Sequence, residues 1–160
     1  MIDRGMTKVD EEPQTIGVST IYAKLGPSLL NVAAEDCYLA KQEYKGPREF
    51  SHLPYFLLSR SIELSIKARH LKRYTTAAEG LGQVKNKYGH SLILAYDGLP
   101  EEEKILNYEE RKVLEITNDI YCDKGFEYVN PEHTLEGYEE FPDLNVLDKI
   151  AKKFLDNFRE

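Results

Sequence analysis

The apolar positions of this chain recur with helical period in several stretches, and these set out its elements. Leu30, Ala33, Ala34 and Cys37, with Ala40 or Tyr38, predict a first helix from Thr20 to Tyr44. Gly26-Pro27 is a point where it could be interrupted, since Pro27 suits the start of a helix. Lys45–His52 reads as a loop, and a second helix spans Pro54 to Tyr74. Leu81, Val84 and Tyr88 then carry a short helix closed by Gly89, and His90-Ser91 opens another from Leu92 to Tyr96. Pro100 and three glutamates predict the start of a long helix, because acids favour a helix N-terminus. Its stripe is Leu106, Val113, Ile116 and Ile120, and Gly125 ends it. Gly125–Pro142 is aromatic and acidic, and reads as an extended arm or short hairpin. Asp143 caps a last helix whose stripe is Leu144, Leu147, Ile150, Ala151, Phe154 and Phe158. The pattern is all-α: a bundle of four long helices and one or two short ones, in a single domain over 15–160 after a loose polar extension of residues 1–14.

The second helix departs from a simple amphipathic pattern. Arg60, Glu63 and Lys67 share one face with Leu53, Phe56, Leu57, Leu64 and Leu71, while Leu58, Ile62 and Ile66 cover much of the other side. A helix apolar nearly all round sits in the middle of a bundle. Charges there must be paired and hydrogen-bonded, because an unpaired one costs several kcal/mol. Glu63 and Lys67 stand in the favourable order for an ion pair one turn apart, and Arg60 reaches the same carboxylate. Two cations on one carboxylate leave a spare positive charge, so a second acid or an anionic ligand is expected nearby. Glu110, inside the stripe of the long helix that follows Pro100, is the candidate acid. Two readings stand: a structural ion network that fixes helix register, or an anion or nucleotide site in a crevice between helices.

Composition narrows these readings. A length of 160 residues suits one domain, and the net charge of −7 disfavours a general nucleic-acid binder. A local basic pocket remains compatible with that charge, since Lys67, Arg69, Lys72, Arg73, Lys85 and Lys87 make the middle of the chain basic. Cys37 and Cys122 lack CxxC spacing and read as inert reduced thiols. No apolar run is long enough for a membrane helix or a signal peptide, so a cytoplasmic protein without membrane contact is expected.

The segment PYFLLSRSIELSIKA, a linker with a short helix, KYGHSL, and then a long helix ending in an aromatic stretch resemble the HEPN-like domain family over roughly residues 28–130. The matching marks are Glu63-Leu64, Lys67-Ala68, Gly89-His90 with Leu92, and the aromatic GFEYV. The resemblance implies an antiparallel bundle of long helices. In many members it also implies metal-independent RNA cleavage by an arginine followed, a few residues on, by a histidine. This chain departs from that spacing. His52 follows Arg48 too closely and precedes the second helix, His70 adjoins Arg69, and the helix holding Arg111 has no histidine. The resemblance therefore implies a non-catalytic interaction or nucleotide- and anion-binding module, with Arg60, Glu63, Lys67, His90 and Glu110 as candidate ligand or charge-network residues. The homodimer, the bound nucleotide or RNA, and a small nucleotidyltransferase partner are its expected associates. A divergent, toxin-like ribonuclease using Arg48 or Arg60 with His52 or His90 is the alternative. No catalytic residue is assigned. No cofactor is expected, and the histidines, cysteines and acids show no metal-binding spacing.

Overall fold

A computed structural model describes residues 17, 20–43, 51–127 and 140–158. The expected polar extension, most of the loop after the first helix, and the greater part of the aromatic arm lie outside the described residues. Six α-helices account for most of the rest: α1 (Gly26–Glu43), α2 (Leu53–Leu71), α3 (Ala77–Tyr88), α4 (Leu92–Asp97), α5 (Tyr108–Cys122) and α6 (Leu144–Asp156). There is no strand among the described residues, as the all-α reading expects.

The break foreseen at Gly26-Pro27 takes the form of a π turn, Ile21–Leu25, that runs directly into α1. Pro27 has no N–H, and its ring crowds the carbonyl one α-helical turn earlier. The wider turn, in which the Gly26 N–H reaches the Ile21 carbonyl, accommodates it without ending the helix. Gly26 also lets α1 approach α2, since a Cβ there would stand 3.1 Å from Leu64 Cδ1.

α2 is the central helix, as its all-round apolarity predicts, and packs against α1, α3, α4, α5 and α6. Leu58, Ile62, Ile66 and Ala68 are buried, and so are the small polar residues Ser59, Ser61 and Ser65. Ser59 donates to the Tyr55 carbonyl one turn back. α2 stops at Leu71 rather than Tyr74, because the Arg73 and Tyr74 N–H groups form tight turns onto His70 and Leu71 and Thr76 then caps α3. Arg69, read as part of a basic stretch, is in fact 2% exposed. It donates to the Ser65 and Phe154 carbonyls and lies over the Phe154 ring. Burial lowers its pKa, against the opposing charge of Glu103. A cation at the C-terminal end of α6 complements the partial charge there.

Two helix ends differ from expectation. The triplet Glu101–Glu103 forms only a 3₁₀ turn, and α5 starts five residues later. Asn107 sets that start: its side chain accepts from the Glu110 N–H, while the Glu110 carboxylate accepts from the Asn107 N–H, a reciprocal cap. At the other end α5 closes at Cys122. Lys124 takes the left-handed conformation (φ 58°), and Gly125 donates back to Ile120. This is a Schellman closure with lysine in the place glycine usually holds. The ends of the aromatic arm turn inward, with Phe126 and Phe141 packing against Tyr55 in a cluster of three rings. α6 follows the expected pattern, with Asp143 accepting from Asn145 and Val146 and with Leu147, Ile150, Ala151 and Phe154 buried.

Candidate functional site

Glu63, at the middle of α2, organises the site. Its side chain is 1% exposed, yet each carboxylate oxygen has two partners. Oε2 accepts from Arg60 at 2.7 Å and from the Tyr121 hydroxyl at 2.6 Å. Oε1 accepts from Lys67 at 2.5 Å and lies 3.1 Å from His90 Nδ1, which donates to it when that nitrogen carries the proton. Arg60 and Lys67 come from α2 itself, as their spacing predicts. Tyr121 comes from the last turn of α5, and His90 from the junction of α3 and α4.

Burial alone would raise the Glu63 pKa. Hydrogen bonds from Lys67 and Tyr121, together with the Lys67 and Arg60 charges, outweigh it and hold the carboxyl below its ordinary value. Burial and the Glu63 charge push the Tyr121 phenol far upward, so it stays a neutral donor. Arg60 is raised further by Glu63 and remains charged, although burial opposes this.

Backbone geometry completes the arrangement. Gly89 has φ 54° and ψ −120°, a combination open to glycine and strained for other residues. In that conformation its carbonyl accepts from Lys67 at 2.7 Å. Ser91 caps α4, and the Asn118 side-chain carbonyl, reaching across from α5, accepts from the Leu92 and Ile93 N–H groups. The His90 segment is thus held from both sides.

Glu110 does not join the cluster. Its carboxylate is shared between the Asn107 N–H and Lys153 of α6. The partner that sequence reading missed is Tyr121, a neutral donor rather than a second acid. The charge of Arg60 and Lys67 together therefore exceeds that of Glu63 by one.

That excess faces an open groove of about 640 Å³ between α2 and α3. Arg60, Lys67, Lys85 and His90 line it, together with Asn86, and no aspartate or glutamate does so among the described residues. Leu64, Leu71, Leu81, Val84 and Tyr22 supply an apolar floor and side. A smaller cavity of about 280 Å³ lies beside it, bounded by Phe56, Tyr121, Cys122, Lys124 and Glu127. Arg60 and His90 border both spaces. The arrangement suits a ligand with an anionic group and an apolar body. His52 stands apart, edge-on to Phe141 at the start of α2. Arg48 and His133 lie outside the described residues. No group of histidine, cysteine or acidic side chains fit to hold a metal ion occurs among the described residues, and none of their helices is long and apolar enough to cross a membrane.

Comparison of the chain with family models, with curated proteins and with solved structures finds no match.

Proposed function

We propose that this chain is a HEPN-like antiparallel bundle that acts as a non-catalytic module and binds a phosphate-bearing ligand, a nucleotide, in the groove between α2 and α3. The observation that carries this reading is the groove's lining: four basic side chains, an apolar floor, and no carboxylate among the described residues. Arg60 keeps N–H donors beyond the one bonded to Glu63, and its planar guanidinium suits a phosphate. Lys85 adds a point charge from α3, and Leu64, Leu81 and Tyr22 offer surface to a base and sugar. A second copy of the chain or a small nucleotidyltransferase is the associate this reading expects.

Isothermal titration with a set of nucleoside 5′-monophosphates tests it. Binding is expected with at least one of them, and Lys85→Ala should weaken it roughly tenfold, equivalent to about 1.4 kcal/mol. Failure of every mononucleotide to bind, or binding indifferent to Lys85, would remove the reading.

One observation favours a second reading, a divergent metal-independent ribonuclease. Arg60 and His90 line the same groove and meet the same carboxylate, so one could hold a phosphate while the other moves a proton. RNA cleavage in the presence of a chelator that disappears in His90→Ala would replace the non-catalytic reading with this one.

A further inference from the structure

The outer face of α1 and of the π turn that leads into it carries a row of large apolar side chains. Ile21, Leu25, Leu29, Val32 and Leu39 are between 39% and 64% exposed. Taken at helical angles, Leu25, Leu29, Val32 and Leu39 fall within a strip about 80° wide. The same helix buries Pro27, Asn31 and Ala34 on the opposite side. The row is therefore a second apolar face, turned away from the bundle. Its steps are four, three, then seven residues, with Asp36 filling the missing position, which is the spacing of a coiled-coil seam.

The structure points to a second copy of this chain as the occupant, and we propose that two α1 helices pair antiparallel along this seam. The spacing reads the same in both directions about a point between Leu29 and Val32. An antiparallel pairing therefore sets Leu29 of each copy against Val32 of the other, Leu25 against Asp36, and Ile21 against Leu39. Charge selects the same orientation. Lys24 and Glu35 lie on one flank of the seam, towards opposite ends, so antiparallel helices bring unlike charges together. Parallel helices would set that flank against the partner's opposite flank, where neither charge meets an unlike one. On the other flank the small side chain of Ala33 keeps the approach close. A lipid surface fits poorly, because interfacial helices are rimmed by basic residues and this seam carries Glu35 and Asp36. The seam is independent of the groove between α2 and α3, so either proposal can fail without the other.

Sedimentation equilibrium of the full chain gives the test, with Leu29→Lys/Val32→Lys as the variant. Both positions are exposed, so the variant should keep its helical signal and unfold at the midpoint of the wild type diluted to monomer. The wild type is expected to dimerise, and the variant to raise the dissociation constant by at least about tenfold. Spin labels at Leu39→Cys, in a background with Cys37 and Cys122 changed to serine, should lie about 25 Å apart along the seam; parallel helices would hold them within about 10 Å. A wild type that stays monomeric at high micromolar concentration overturns the proposal. So does a dimer unaffected by the two lysines, or a short label separation.

Discussion

Four donors converge on the carboxylate of Glu63, and that convergence makes it the most consequential single side chain in the fold. Glu63→Ala leaves Arg60, Lys67 and the Tyr121 hydroxyl without their shared acceptor and should destabilise the protein by roughly 3 kcal/mol in urea titration. A loss below about 0.5 kcal/mol would mean the cluster is no more than surface decoration. The same carboxylate sets a pH dependence. Its folded pKa lies below the ordinary 4.5, so the fold favours the ionised form. That stabilisation is full above pH 4.5, shrinks as the pH falls below it, and is gone once the pH passes the lowered folded value. The stability advantage of the wild type over Glu63→Gln should therefore narrow between pH 6 and pH 3, and an unchanged gap over that range would contradict the ion-pair account. Half of this cluster is legible from spacing alone. Arg60 and Lys67 sit within two turns of Glu63 on one helix, where geometry leaves little choice. Tyr121 and His90 are 58 and 27 residues away, and no local rule selects them. Glu110 shows the converse: its place in the stripe is real, but capping Asn107 and pairing with Lys153 occupy its carboxylate.

Helix ends decide how the elements are set. Ser91 and Asp143 are legible in the sequence as the openings of their helices, but Thr76 and Asn107, which equally precede the helices they cap, are not. Asn118 works differently, capping α4 from the side of α5. Asn118→Ala should cost about 1–2 kcal/mol by chemical denaturation. It should also raise hydrogen exchange in Leu92 and Ile93, while Asn118→Ser, which keeps an acceptor, should recover part of the loss. An unaltered stability would show that solvent satisfies those N–H groups equally well. The acidic triplet at Glu101–Glu103 misleads for a related reason. Acids favour a helix start, but the Asn107–Glu110 reciprocal cap offers two hydrogen bonds where the triplet offers only a charge–dipole term. Gly125 likewise marks the end of α5 only approximately. It is the donor that closes the turn, and Lys124 carries the left-handed strain.

At the scale of the molecule, α2 is the axis on which every other helix leans, and the near-continuous apolarity of its sequence makes that position legible in advance. Its amides should exchange only through global unfolding. Peptides covering Ile62–Ala68 are expected to be the slowest in hydrogen-exchange mass spectrometry, and exchange as fast as that of α3 would refute a central role. The groove and the outer row of α1 are less legible, because both depend on how helices are phased about α2 rather than on any one motif. The π turn at Ile21–Leu25 controls that phasing at the start of the first helix among the described residues. It adds one residue to a single turn and so sets Tyr22 towards the groove and Ile21 towards the outer row. Removing any one residue between Ile21 and Leu25 would rotate everything upstream by about 100°. The tyrosine and the isoleucine would then leave their surfaces together. Substitution in this turn can alter one surface at a time, whereas a change of length must alter both. The segment's length, more than its composition, is what selection would have to hold constant.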